Sequence, residues 1–376
     1  MPKTFRYRIY PTKAQETKLN ETLELCRWVY NETLALRKNA WETEQKRISY
    51  FDSKKMIPIW KKEKPELKTV HSHTLQDVTM RVDLAFQAFF RRLKQGEKAG
   101  YPRFKGKGWY DSITYLQSGF SLKDTILNLS KIGDIKIIKH RELKGNIKRL
   151  TIRRTPTKKW FVSILTDNDS YQPLEHSDKA VGIDVGLHTF AALSDGTLIP
   201  NPRFYVKEQK NLVKVQKKHS KAIKGTIERK RKLKVLCRVY ERISNKREDF
   251  IQKLSKSLVD SYGTICFEDL NITKMVKDPL YSKGIMDAAW SKLVTYTSYK
   301  AESAGRKVIL VNPYNTSQMC SQCGKLVEKD TYVRVHKCPY CGLLLDRDHN
   351  AAINILRLGL QSVRKIDRCP RLQSWE

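Results

Sequence analysis

Three carboxylates and four thiols in the second half of this 376-residue chain have the types and spacing of metal ligands. Asp184 ends the apolar run of Val181-Gly182-Ile183-Asp184-Val185-Gly186. Glu268 ends that of Ile265-Cys266-Phe267-Glu268-Asp269-Leu270-Asn271. Asp346 and Asp348 lie in Asp346-Arg347-Asp348-His349-Asn350-Ala351-Ala352. The runs before Asp184 and Glu268 have the composition of short strands, so each acid stands at a strand end facing a crevice. Asp348 precedes an Ala-rich helix predicted over Asn350–Leu358. Strand ends and a helix start converge in an α/β domain even when they are distant in sequence. Carboxylates brought together repel unless cations neutralise them, and hard oxygen ligands favour Mg²⁺ or Mn²⁺ over zinc. Two such ions stabilise both the attacking water and the leaving oxygen of a phosphodiester. Each acid alone says less. An acid at a helix start is commonly a cap, and Gly-x-Asp-x-Gly also opens phosphate-binding hairpins, which need further Gly-rich loops not found here. Asp269, directly after Glu268, points to the opposite side of a continuing strand. Asp346 stays a rival to Asp348, and His188 is read as a turn histidine.

The thiols form a stronger isolated signal. Cys320-Ser321-Gln322-Cys323 and Cys338-Pro339-Tyr340-Cys341 are each followed by Gly, with 14 residues between the pairs. Each Cys-x-x-Cys-Gly makes a knuckle that directs two thiolates at one ion, and four thiolates specify a closed, structural Zn²⁺ site with no vacant position for catalysis. His336 is a surplus donor beside this set. Cys26, Cys237, Cys266 and Cys369 are scattered, which suits a reduced compartment better than a disulfide framework.

The elements that must hold these groups fall into two stretches. Phe5, Tyr7 and Ile9 alternate with Arg6 and Arg8, predicting a strand over Phe5–Tyr10. Thr12 with Gln15 is a capping-box pair, and Leu19, Leu23, Cys26, Tyr30 and Leu34 share one helical face. A second helix is expected over Thr74–Gln95. The loop Gly100-Tyr101-Pro102-Arg103-Phe104-Lys105-Gly106 alternates basic and aromatic residues. Arg103, Phe104 and Lys105 have the chemistry to stack on bases and pair with phosphates. Short strands follow at Ser112–Leu116, Thr125–Leu129, Asp134–Ile138, Ile147–Arg153 and Trp160–Leu165, the spacing of a small β-barrel. The first strand would join it, leaving the helices as an insertion. Asn168–Asp178 is taken as the boundary. Beyond it come paired strands at Ala180–Asp184 and Thr189–Leu193, basic helices from about Lys207 to Ser257 broken near Gly225, a strand at Thr264–Phe267, a helix at Ile285–Ser303 and a strand at Val308–Val311.

Lys and Arg number 73 against 39 Asp and Glu, a formal net charge of +34, and the excess is not confined to a tail. Self-repulsion of that size calls for a polyanionic partner, and nucleic acid is the expectation. Hydrophobic residues make up 40%, enough for real cores and against wholesale disorder. The N-terminus lacks an apolar signal core, and no run of about 18 apolar residues occurs. A cytoplasmic protein, nucleoid-associated when on DNA and without a membrane partner, is expected.

Taken together, these words resemble the TnpB family of transposon-encoded nucleases, relatives of type V CRISPR effectors. Gly182-Ile183-Asp184-Val185-Gly186, Glu268-Asp269-Leu270-Asn271 and Asp346-Arg347-Asp348-His349-Asn350-Ala351-Ala352-Ile353-Asn354-Ile355 resemble its three RuvC motifs. Asn312-Pro313 and Thr316-Ser317-Gln318-Met319-Cys320-Ser321-Gln322-Cys323-Gly324 resemble the approach to its zinc ribbon, and Arg8-Ile9-Tyr10-Pro11-Thr12 and Tyr101-Pro102-Arg103-Phe104-Lys105 also fit. The resemblance implies a multidomain α/β protein. Residues 1–11 and 101–175 would form a wedge β-barrel, 12–100 a helical recognition insert, 176–316 and 346–376 an RNase H-like RuvC domain, and 317–345 a four-cysteine zinc ribbon inserted in it. It implies RNA-guided DNA cleavage, with a transposon-end guide RNA pairing to one strand of a double-stranded DNA target and the protein reading a short adjacent motif. Asp184, Glu268 and Asp348 would hold two Mg²⁺ or Mn²⁺ ions, the preference for Asp348 over Asp346 being the family's. Tyr50, His73 and Gln76 would contact the duplex motif. A monomer is expected. The rival readings are a guided DNA-binding repressor that does not cut and a guide-independent, structure-specific RuvC-type nuclease.

Overall fold

The computed structural model describes residues 2–167, 173–330 and 332–368, with side chains described as far as Ser362. The chain forms two compact units, Met1–Ser170 and Tyr171–Glu376.

In the first unit, strand β1 (Pro2–Tyr10) runs into helix α1 (Lys13–Glu44). The turn between them is set by the expected capping box: Gln15 N donates to Thr12 Oγ1 at 3.3 Å, and Thr12 N donates to Gln15 Oε1 at 2.9 Å. Helices α2 (Tyr50–Glu63) and α3 (Ser72–Lys94) follow, then strands β2 (Ser112–Leu116), β3 (Phe120–Lys123), β4 (Ile126–Leu129), β5 (Gly133–Ile138), β6 (Asn146–Arg154) and β7 (Trp160–Asp167). The seven strands form one antiparallel sheet in the order β2-β6-β7-β1-β5-β4-β3. Strand β1 sits in its middle, with Phe5 opposite Ile164 and Ile9 opposite Ile137, so helices α1–α3 are an excursion between two strands of one sheet. Among the described residues β2 and β3 share no ladder. Tyr115 Oη on β2 instead donates to the Ser130 carbonyl beyond β4 at 3.0 Å, leaving the expected barrel a nearly closed sheet. The inward faces of β1, β5 and β7 and the apolar faces of α1 and α3 share one core, including Tyr7, Ile9, Leu19, Leu23, Leu75 and Val162. Helix α2 and strand β3 are additions to the sequence expectation.

In the second unit, strands β8 (Ala180–Val185), β9 (Thr189–Leu193) and β10 (Leu198–Pro200) precede two long helices, α4 (Phe204–Ser220) and α5 (Ile227–Ser261). Strand β11 (Thr264–Glu268), helices α6 (Ile272–Met275), α7 (Pro279–Ala288) and α8 (Trp290–Ala304), and strand β12 (Lys307–Val311) follow. A small hairpin of β13 (Val335–Lys337) and β14 (Leu344–Asp346) leads into helix α9 (Arg347–Arg368). The sheet order is β10-β9-β8-β11-β12, with β11 parallel to both β8 and β12.

Two expectations need correction. The single helix expected over Ile285–Ser303 is two helices, because Ala289 takes a left-handed φ of 54° and turns the chain between them. Buried Asp287, paired with Arg247 at 2.7 Å, and buried Trp290 anchor the two sides of that turn separately. The last helix begins at Arg347, not Asn350, so Asp348 lies inside its first turn. Helix α9 packs directly on β8: a Cβ at Gly182 would lie 2.1 Å from the Ala352 carbonyl oxygen and 2.5 Å from Leu356 N.

Candidate active site

The parallel register of β8 and β11 sets Ile183 beside Phe267, so the next residues, Asp184 and Glu268, stand side by side at the ends of neighbouring strands. The close approach at Gly182 lays the N-terminal half of α9 over β8 and brings Asp348 to the same end. Gly186, two residues after Asp184, lies close to the same helix turn: a Cβ there would be 3.9 Å from Asp348 Oδ2, although the carboxylate oxygens of Asp184, Glu268 and Asp348 do not all lie within 4.8 Å of one another. Burial raises the Asp184 carboxyl well above its ordinary range, and the charges of Glu268 and Asp348 raise it further. Burial also raises Glu268, against the lowering effect of a hydrogen bond from the Thr316 hydroxyl. Asp348, 9% exposed, is raised by burial and by Asp346 and lowered by Arg334, Arg347 and His188. Arg334 Nη1 lies 3.6 Å from Asp348 Oδ1. A buried carboxyl whose affinity for protons is raised by two neighbouring carboxylates, as that of Asp184 is, has the same appetite for other cations.

The two aspartates of the third motif have different jobs in this geometry. Asp346 Oδ1 accepts the amides of Asp348 at 2.9 Å and His349 at 3.1 Å, the bonds of a helix N-cap. Asp348 faces the other acids. Asp269 is exposed, and its amide donates to Val311 O at 2.8 Å.

The four cysteines Cys320, Cys323, Cys338 and Cys341 place their sulfurs within 4.8 Å of one another, the group among the described residues that meets this condition. Cys320–Cys341 and Cys323–Cys338 are each 3.6 Å apart. Tetrahedral thiolates at a Zn–S distance of about 2.3 Å would lie about 3.8 Å apart, so the set fits a closed zinc site. Cys338 is opposed by burial yet brought down to about 6 by the amides of Tyr340 and Cys341 and by its thiol neighbours, which favours the ligating thiolate.

The expected nucleic-acid contacts are scattered over the first unit. Gln76 lines a groove of about 570 Å³ with Phe51, Lys54, Lys55, Lys61 and Ser72. Tyr50 starts α2, with its ring 5.3 Å from that of Phe51. His73 is turned the other way: its Nδ1 is 3.1 Å from both Leu116 O and Ser118 Oγ. Arg103 and Phe104 are exposed, whereas Lys105 is pinned to α1, its amide donating to Asn31 Oδ1 at 2.8 Å. Sequence reasoning passed over Arg334 and placed Thr316 only in the approach to the zinc ribbon, with no link to the acids. Neither belongs to an acidic motif, and only the fold brings them to the carboxylates.

Three family models match the chain: a probable transposase over residues 162–278, a Cas12f1-like TNB domain over 290–355, and a helix-turn-helix domain over 1–46. In this structure the described part of that stretch, residues 2–46, holds strand β1 and the long helix α1. A putative RNA-guided DNA endonuclease of Streptomyces pristinaespiralis is 35% identical over 365 residues, which cover 95% of this chain and 89% of that protein. The putative RNA-guided DNA endonuclease InsQ of Escherichia coli K12 is 28% identical over 375 residues, covering 94% and 92%. Among solved structures, the Cas12f1 chain of a complex with sgRNA and target DNA superposes with a TM-score of 0.60 at 15% identity, over 94% of this chain and 98% of that one, a likeness of fold. With a relative of 35% identity matched along nearly the whole of both proteins, the chain belongs to the TnpB family, the IS605 OrfB group of RNA-guided DNA endonucleases.

Proposed function

We propose that this chain is a transposon-associated RNA-guided DNA endonuclease that hydrolyses phosphodiesters at Asp184, Glu268 and Asp348 with two divalent cations, Mg²⁺ or Mn²⁺. The observation that carries the reading is the convergence of three carboxylates from two strand ends and one helix, each raised by burial. The donor set fits hard cations, because it offers oxygen ligands whose mutual repulsion a cation would relieve. The bound ions would supply charge for the attacking water and the departing oxygen. The chain's own residues fix where that charge sits. Asp184 and Glu268 are held by the sheet register, and Asp348 by the capped first turn of α9. Cys320, Cys323, Cys338 and Cys341 would hold one structural zinc.

In this reading residues 1–11 and 101–175 form a wedge that holds a transposon-derived guide RNA, 12–100 a recognition insert facing duplex DNA, and 176–316 with 346–376 the RuvC-like nuclease. The protein works as a monomer in the cytoplasm. Gln76 and its lysine-rich groove, with Tyr50 and His73 nearby in sequence, are the candidate readers of the adjacent motif. Arg103, Phe104 and Lys105 contact nucleic acid from their loop.

The test is to purify the protein with its cellular RNA, sequence that RNA, and supply matched duplex DNA with Mg²⁺. Asp184→Ala, Glu268→Ala and Asp348→Ala should each abolish cutting and keep RNA-dependent DNA binding. Wild-type protein that binds matched DNA without cutting it would establish the repressor reading instead. RNA-free protein that cuts branched DNA would establish the structure-specific nuclease.

A further inference from the structure

The segment between β12 and the first cysteine knuckle touches two of the three acid-bearing elements. Thr316, 2% exposed, donates its hydroxyl proton to Glu268 Oε1 at the end of β11. The Pro313 carbonyl is also within reach at 3.1 Å, but a hydroxyl has one proton, and a carboxylate competes for it better than a neutral carbonyl. The backbone of the same segment is clamped by α9. Asn354 Nδ2 donates to Thr316 O at 2.9 Å and Met319 O at 2.6 Å. Asn350 Nδ2 donates to Met319 O at 2.8 Å, and Asn350 Oδ1 accepts from Ser321 N at 2.9 Å. Asn350 and Asn354 are fully buried and lie one turn apart on the helix that carries Asp348. Ser321 is the residue after the first zinc-site cysteine.

Two carboxamides buried away from water are costly to leave unpaired, so this clamp fixes the segment to α9 in one register. Its one side-chain bond to an acid falls on Glu268, the acid furthest in sequence from α9 after Asp184. We propose that Thr316 is a positioning residue. Held against α9 by Asn354, it orients the Glu268 carboxylate toward Asp184 and Asp348, so that the metal site assembles only when the approach to the zinc-site cysteines is seated. The inference rests on the reading of the three acids as metal ligands.

The test follows Mn²⁺ binding to the RNA-loaded protein by the loss of the free-ion electron paramagnetic resonance signal, alongside zinc content and cleavage. Thr316→Val keeps the shape and removes the donor. It should retain zinc and RNA-dependent DNA binding while weakening Mn²⁺ binding about tenfold, the scale of one hydrogen bond to a charged group. Cleavage should then need proportionately more metal and recover at saturation. Thr316→Ser should restore wild-type behaviour, and Asn354→Ala should reproduce the metal defect. If Thr316→Val loses its zinc, Thr316→Ala, which also lacks the donor, is measured instead. Wild-type Mn²⁺ affinity in a zinc-loaded variant without the Thr316 hydroxyl overturns the proposal. Asp184→Ala separates the two ideas: unaltered Mn²⁺ binding there would overturn the three-acid metal site itself.

Discussion

At the scale of single residues, the third motif holds the sharpest distinction. Asp346 and Asp348 differ by two positions, yet one caps α9 and the other joins the acid group. Asn caps a helix about as well as Asp, so Asp346→Asn should leave cleavage within a few-fold of wild type. Asp346→Ala should cost about 1 kcal/mol of stability, measured by denaturant unfolding. Asp348→Asn should abolish cleavage; robust cutting by it alongside loss in Asp346→Asn would exchange the two roles. The raised carboxyls make a second prediction. Asp184 keeps its proton, when folded, at pH values where the unfolded chain has released it, the ordinary aspartate value being 3.8. The folded state therefore binds more protons, and metal-free stability should fall as pH rises from about 4 through the elevated folded value. Asp184→Asn removes that burden. It should raise the thermal midpoint of metal-free protein at neutral pH and flatten its pH slope, and it should abolish the midpoint increase expected of wild type on adding Mg²⁺ under the proposed metal site. A metal-free Asp184→Asn midpoint at or below wild type would count against the buried-carboxylate account.

At the scale of elements, the site depends on how closely α9 lies on the sheet, and two glycines set that distance. Gly182 faces the α9 backbone, and a Cβ at Gly359 would lie 2.3 Å from Cys266 Sγ on β11. Gly182→Ala must push against main chain, which cannot rotate aside. It should destabilise by roughly 1–3 kcal/mol, the usual cost of overpacking, and lower cleavage far more than RNA binding, because displacement of α9 carries Asp348 away from Asp184. Equal losses in both would mean general unfolding rather than a displaced helix. This contact shows what was legible in the sequence. The motif Gly182-Ile183-Asp184 was visible, but the helix that needs its glycine lies at the far end of the chain. Strand β1 followed from alternation, β2, β4, β5, β6 and β7 from short strand-like runs at the spacing of a small barrel, and α1 from its capping box. Helix α2 was hidden by Pro58 inside it, although Ser49 and Asp52 form a capping box and Ser53, Ile57 and Trp60 make a buried stripe at helical spacing. The α7–α8 break was illegible because alanine carries no turn signal. Its left-handed backbone is imposed by the anchoring of Asp287 and Trp290 on either side. The contacts of Thr316 and Arg334 with the acids were invisible for a related reason: each reaches an acid across a sequence distance that only topology closes.

At the scale of the whole molecule, the charge is divided evenly. Met1–Ser170 holds 36 Lys and Arg against 18 Asp and Glu, and the remaining residues hold 37 against 21. Each unit has its own apolar core, one built on β1 and α1–α3 and the other on β8, β11 and α8, so each has the means to fold alone. No helix among the described residues is long and apolar enough to cross a membrane, and the excess cation calls for a polyanion. A partner bound through one unit would leave nearly half of that excess unneutralised. A guide RNA with its DNA duplex is large enough to engage both. The logarithm of affinity falls with the logarithm of salt concentration by about 0.7 to 0.9 per phosphate neutralised. The full chain should therefore show a steeper salt dependence for guide RNA than Met1–Ser170 or Tyr171–Glu376 expressed separately, with each half contributing a substantial share of the slope. Filter binding across a salt series measures this directly. A first unit that alone reproduced the full slope would confine the RNA to it and leave the basic faces of α4 and α5 for DNA, which a second series with duplex target would then reveal.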